Sequence, residues 1–380
     1  MKSQRLLLAC LPCLIVWMGC SSEKSVEVGP LQPIESRSFY MGFTPFPSDI
    51  TIDAVVAAQQ FAVQHGDLIS HHLEQGVPWT EALSNQPYHE KLINEWNSRV
   101  EYSKGKKIFL SLNALNDGRN GLAMYRGEKD NMPLPEAFVG KALNDPDVKT
   151  AYLNFCRRAI ETFKPDYFAI GIEVNELIHN APDQWPAYKE LYLFIYQELK
   201  AAYPDLPLMA TVSLHNLTNK GWKDLEFQQK EIKELLESID ILGISFYPFM
   251  AGYNERPVEQ LQWLREFTDK PIAISETGYL AETLTLDSYN LKIPGSQAKQ
   301  LAYIETLLDA AQNDDYLFVV QFLTRDYDAL WNSIQSFAPE AFKVWRDTGM
   351  EDERGVPRPA LQVWDHYHNA PYKRTHTDTE

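Results

Sequence analysis

Positive charge is scarce in this chain: 35 Lys and Arg stand against 52 Asp and Glu, a formal net charge of −17. Loss of Lys2 and Arg5 with an N-terminal leader takes it from −17 to −19. Polyanions and anionic lipid surfaces find little to grip on such a chain, so no nucleic-acid partner is expected. Cysteine is scarcer still. Of the 4 Cys, Cys10, Cys13 and Cys20 fall within or at the end of the leader, which leaves Cys156 alone and excludes a disulfide framework. Cys156 sits in a helical pattern and is expected to be a buried structural thiol rather than a nucleophile. No Gly-rich phosphate loop follows the first apolar run, and no internal repeat is visible. The adjacent His71 and His72 have no Cys or carboxylate cluster around them at ligand spacing, so neither a metal nor a cofactor is expected. Nothing implies an oligomer.

Long apolar runs are also missing. The stretch 6–18 follows a short basic start and is too short for a stable membrane span. It ends in Gly19-Cys20-Ser21-Ser22, which resembles a bacterial lipoprotein signal. That resemblance implies a signal peptide over 1–19 and lipid attachment at Cys20. The protein is then expected to be exported and anchored in the cell envelope, in the outer membrane where the cell has one, touching membrane only through the lipid. Residues 20–38 read as a polar tether, with Gly29, Pro30 and Pro33 opposing a helix. A single domain over 39–370 and a polar tail over 371–380 complete the division.

What the domain has is alternation. Eight short apolar runs (39–43, 67–70, 107–112, 167–174, 208–214, 239–246, 272–275 and 317–322) are expected as strands. Helical patterns separate them at 51–63, 88–102, 148–163, 185–202, 223–238, 257–267, 297–312 and 339–346. Lys164-Pro165, Leu206-Pro207 and Lys270-Pro271 each end a helix just before a strand. Eight strand–helix units in about 340 residues predict an α/β fold of the (β/α)8 TIM-barrel type. Two connections, 113–146 and 277–294, are long for a compact barrel and fall on the face where barrels place their sites.

On that face two strand ends carry carboxylates. Strand four closes on Gly171-Ile172-Glu173-Val174-Asn175-Glu176, and strand seven on Ala273-Ile274-Ser275-Glu276-Thr277-Gly278-Tyr279. Strands four and seven lie across the axis of an eight-stranded barrel, so carboxylates at their tips can face each other. One proton donor and one nucleophile or base is the minimum set for glycoside hydrolysis. A rim salt bridge is the alternative for either Glu.

Asn175-Glu176 and Glu276 resemble the strand-four and strand-seven signatures of glycoside hydrolase clan A. Within that clan, Ile241 to Phe249 and Ile274 to Tyr279 are similar to segments of the family 53 endo-β-1,4-galactanases. The resemblance implies Glu176 as acid/base and Glu276 as nucleophile of a retaining, endo-acting double displacement. It further implies that Tyr247 hydrogen-bonds the nucleophile and that Asn175 holds the neighbouring sugar hydroxyl. Glu173 stands second to Glu176, with a buried structural role expected for it.

His72, Asn113 and His215, near the ends of strands two, three and five, suit contacts with sugar hydroxyls; loop capping or a plain rim position is the competing role. Trp79 and Tyr279 suit stacking platforms or the cover of the barrel top. The expected partner is a β-linked polysaccharide or oligosaccharide, with galactan nearest and mannan and xylan as alternatives. A surface lipoprotein that binds glycans without cleaving them is the rival from another class.

Overall fold

The computed structural model describes residues 26–251 and 257–374. Cys20, the expected leader and residues 375–380 lie outside them. Eight parallel strands close into a barrel: β1 (Tyr40–Phe43), β2 (Leu68–Leu73), β3 (Lys107–Leu112), β4 (Tyr167–Gly171), β5 (Leu208–Ser213), β6 (Ile241–Phe246), β7 (Ile272–Thr277) and, after a small antiparallel pair β8 (Leu284–Leu286) and β9 (Leu291–Ile293), the closing strand β10 (Phe318–Gln321). Tyr40 to Phe43 pair with Phe318 to Gln321, which shuts the ring. The single-domain TIM barrel expected from alternation is the fold observed.

Period-two alternation splits each strand between two cores. Leu68, Phe109, Ala169, Met209, Ile241, Ala273, Phe318 and Val320 point inward and plug the barrel. Their outward neighbours, among them Ile108, Leu110, Phe168, Leu242, Ile272 and Val319, pack against the helices in a much larger core. Cys156 is fully buried in the helix Pro146–Phe163, and burial pushes its thiol up, away from the reactive thiolate. No described helix is long and apolar enough to cross a membrane.

Helix ends follow local chemistry. Thr51 caps the helix Ile52–His65 by accepting from Ala54 N at 3.2 Å. The helix Pro146–Phe163 starts with Asp145 as cap and proline in its first turn, and it stops at Lys164 in the left-handed region just before Pro165. Segment 339–346 differs from expectation, forming the short 3-10 helix Glu340–Trp345. The outer helix after β10 is instead Pro359–His368, where Trp364 Nε1 donates to His65 O at 2.8 Å. Residues expected in the tether and the tail pair with each other: Arg37 N donates to Pro371 O at 3.0 Å and Lys373 N to Arg37 O at 2.8 Å.

Two strand differences matter for the site. β2 runs on to Leu73, so His71 and His72 belong to the strand. β4 stops at Gly171, before the expected end at Val174.

Candidate active site

β7 carries a bulge. Ile244 of β6 pairs with Ile274, but the next residue, Ser245, pairs with Glu276, so one residue of β7 is extra. Without it, the alternation that turns Ala273 inward would turn Ser275 inward and Glu276 out. The bulge reverses the phase and sets Glu276 beside Ser245 at the barrel mouth, where Glu276 is only 6% exposed.

Glu173 arrives from the opposite side. The chain leaves the sheet after Gly171, and Glu173 takes a left-handed backbone, φ 49°. A non-glycine side chain adopts this region at a cost of about 1 kcal/mol or more, a form of strain concentrated at functional sites. Thr211 secures the turn, its Oγ1 accepting from Glu173 N at 2.8 Å and its carbonyl from Val174 N at 3.0 Å.

Ser245 joins the two carboxylates. Its Oγ lies 2.7 Å from Glu173 Oε1 and 2.8 Å from Glu276 Oε1. A serine hydroxyl has one proton, so it donates to one carboxylate and is free to accept from the other when that one is protonated. Burial and the charge of Glu173 push Glu276 up to about 7, against the opposing pull of His72 and Ser245.

Around the pair runs a charged ring that sequence reasoning missed. Glu74, just past β2, accepts from His72 Nε2 at 2.7 Å and from Asn113 Nδ2 at 2.9 Å, and pairs with Arg119 Nη2 at 2.7 Å. The same Arg119 Nη2 lies 3.3 Å from Glu173 Oε2. Burial alone would raise Glu74, but Arg119 and His72 outweigh it and hold the carboxyl far below its ordinary range. Arg119 stands in the long loop after β3, itself at φ 47°, and nothing in the residues around it announces a site. Glu74 offered one signal, its place two residues beyond His72.

The site residues expected from the sequence divide. Glu276 and His72 are at the centre, His72 Nδ1 lying 3.5 Å from Glu276 Oε2. Glu176 opens the short helix Glu176–Asn180 on the site's flank, with its Oε1 3.6 Å from His215 Nε2; burial and then the charge of Glu173 raise its pKa. His215 Nδ1 in turn lies 3.1 Å from Ser213 Oγ.

Asn175 is not where a sugar hydroxyl could meet it. Its side chain is fully buried, accepting from Ser213 N at 2.8 Å and donating to Ser213 O at 3.0 Å, so it ties the exit of β4 to the end of β5. Tyr247 Oη has no hydrogen-bond partner among the described residues; the hydroxyl that reaches Glu276 is that of Ser245 on β6 instead. Asn113 serves Glu74 and the backbone, donating to Ile172 O at 3.3 Å. Trp79 is fully buried against Phe138 and Tyr152, with Nε1 donating to Ala123 O at 2.9 Å. Tyr279 is buried against Tyr303 and Phe249. The loop after β3 covers Trp79 with Ala123 and Phe138; both rings are core, and neither is a platform for sugar.

A parallel eight-stranded barrel with facing carboxylates at the tips of its fourth and seventh strands has the frame of a barrel glycoside hydrolase. A model of glycosyl hydrolase family 53 matches residues 147–361, more than half of the chain, and the chain belongs to that family. It is therefore a glycoside hydrolase. No curated protein matches it in sequence. Among solved structures, a GH5_18 protein from Streptomyces cattleya in complex with Manb1-4GlcNAc is similar at TM-score 0.62 and 13% identity, over 89% of this chain and 84% of that one. An exo-β-1,4-mannosidase from Opitutaceae bacterium strain TAV5 gives 0.61 and 13%, over 89% of this chain and 60% of that one. This chain thus spans less than two thirds of that mannosidase. Fungal β-1,4-galactanases give 0.56 and 13%, over 87% and 99%. At such identities the likeness concerns the fold.

Proposed function

We propose that this chain cleaves a neutral, β-linked polysaccharide with retention of configuration, using Glu276 as nucleophile and Glu173, rather than Glu176, as acid/base. One observation carries the reading: the hydroxyl of Ser245 touches both carboxylates. Two contacts of 2.7 and 2.8 Å meeting at one atom keep the oxygens at most about 5.5 Å apart, within the ~5–5.5 Å reach of a double displacement and short of the ~6.5–9.5 Å that admits an attacking water. Glu173 gives its proton to the departing oxygen while Glu276 bonds to the anomeric carbon. Glu173 then takes a proton from water, which displaces Glu276. The pair needs one proton in the resting state, and Ser245 can reverse its hydrogen bond to follow that proton from one carboxylate to the other.

Charge narrows the sugar. Glu74, Glu173, Glu176 and Glu276 face the mouth, and the guanidinium of Arg119 is already engaged by two of them. A uronic acid entering here meets like charge, so the substrate is neutral; β-1,4-galactan is the first candidate by family, with mannan and xylan next. The test is reducing-sugar release from β-1,4-galactan, β-mannan, β-xylan and a β-1,4-linked polyuronate. Release is expected from a neutral glycan and not from the polyuronate; release from the polyuronate alone, or from none of them, contradicts the reading.

The raised Glu276 also links stability to pH. In the folded chain it titrates at about 7, against 4.5 for an ordinary Glu, so between those values the folded state holds more proton than the unfolded one. Stability from this group is therefore lost as pH rises from about 4.5 to about 7. Glu276→Gln removes the loss: relative to wild type it is expected to gain up to about 3 kcal/mol at pH 8 and little at pH 4. Urea denaturation of both proteins at the two pH values measures this, and an equal difference at both would contradict it.

A further inference from the structure

Ser245 accounts for one oxygen of Glu276. The other, Oε2, faces His72, whose opposite ring nitrogen is bound to Glu74. We propose that Glu74, His72 and Glu276 form a carboxylate–imidazole–carboxylate relay in which His72 positions Glu276 and supplies the positive charge beside it. The proposal rests on Glu276 being the nucleophile, and it adds the group that favours the ionised carboxylate against burial and eases its departure.

Geometry comes first. His72 is 8% exposed on β2, and its two ring nitrogens lie 2.7 Å from Glu74 Oε2 and 3.5 Å from Glu276 Oε2. A neutral imidazole has one N–H and can donate to only one of two flanking carboxylates; the imidazolium serves both. The rings of Phe46 and Phe322, from the loops after β1 and β10, stand edge-on at 6.0 and 5.9 Å and shield the pair from water. Arg119 also faces this corner and opposes the imidazolium, but it is itself bound to Glu74 and Glu173, and the carboxylate of Asp117 in the same loop adds negative charge toward Glu74. The balance supports the charged ring. Burial lowers the pKa of His72, while Glu74 by charge and hydrogen bond, and then Glu276, raise it above its ordinary value.

The chemistry follows from that charge. An adjacent cation favours ionised Glu276 against the burial and the Glu173 repulsion that push it up. In the second step the bond from Glu276 to the anomeric carbon breaks and its electron pair returns to the carboxylate, so the same cation stabilises the leaving group. Loss of His72 thus slows breakdown of the glycosyl-enzyme as well as its formation. His72 and Glu74 both precede the segment matched by the family, so this support is carried by the first strands of this chain.

The test combines a spectroscopic reading with kinetics on the full chain. Ring 15N NMR, with the His72 signals assigned by their absence in His72→Gln, is expected to show both nitrogens protonated at pH 7 in wild type. In Glu74→Gln the ring is expected to become neutral at that pH. On the glycan found to be cleaved, His72→Ala is expected to lower kcat/KM about 10–100-fold at pH 7 and to move its acidic limb upward by about one pH unit. His72→Arg, which restores a cation, is expected to return the limb toward wild type. A neutral His72 in wild type, a charged one unchanged in Glu74→Gln, or a His72→Ala limb that stays in place overturns the relay. The NMR arm reads the relay even if no glycan is cleaved, which separates its failure from that of the nucleophile assignment.

Discussion

Replacing Glu173 with Ala is expected to lower turnover of the natural polysaccharide by about 10²–10⁴-fold, the ordinary contribution of a positioned acid/base, whereas Glu176→Ala is expected to cost about tenfold or less. The distinction is structural. Glu173 shares Ser245 with Glu276, and Glu176 sits on the flanking helix beside His215. A sharper readout uses an aryl glycoside whose leaving group departs without protonation. With that substrate Glu173→Ala still forms the glycosyl-enzyme but lacks the base for water. Azide needs no base, so it is expected to restore turnover in Glu173→Ala and to yield a β-glycosyl azide. Rescue of Glu176→Ala in place of Glu173→Ala would return the acid/base role to Glu176 and falsify the assignment.

Replacing Glu276 with Ala is expected to have the largest effect, a loss on the order of 10⁴–10⁶-fold, because the nucleophile and its charge go together. The loss is expected without unfolding, since removing this carboxylate relieves a buried charge. Azide entering the vacated space attacks the anomeric carbon directly in a single displacement, so the expected product is the α-azide, opposite to that of Glu173→Ala. Identical azide anomers from both variants would contradict the two roles. Retention of more than about a tenth of wild-type activity by Glu276→Ala would remove Glu276 from the chemistry.

These assignments show which parts of the site the amino-acid pattern could carry. Buried parallel strands are written as short apolar runs, and the bounds of β3, 107–112, were legible without error because nothing interrupts the run. Glu276 was legible as a strand-tip carboxylate, but its inward direction was not. Period-two counting turns it outward, and only the extra residue in β7 turns it back. A bulge of this kind has no sequence mark here, for no Gly or Pro stands between Ile272 and Thr277.

The end of strand four was misplaced for a related reason. The dipeptide Asn175-Glu176 drew attention, yet the backbone leaves the sheet at Gly171, and Glu173 occupies a left-handed conformation normally given to Gly or Asn. β4 has its own register shift between Ala169 and Gly171 and then ends, and the left-handed turn beyond it brings Glu173 to Ser245 and sends Asn175 into the packing between β4 and β5. Arg119 and Glu74 were illegible because their roles depend on how a long loop folds back across the barrel mouth, which no local pattern specifies. Trp79 and Tyr279 erred in the other direction: large aromatic rings near strand ends are equally suited to covering a core, and here they do.

The paired carboxylates are tested most directly by the anomer that is released first. Proton NMR, recorded within the first minutes of digestion of the glycan that the panel identifies, follows the newly freed reducing end before mutarotation. The Glu173/Glu276 pair bridged by Ser245 predicts the β-anomer first, with the α-anomer growing in only by mutarotation. The α-anomer first would mean a single displacement by water, and the bridged pair would not be the catalytic one.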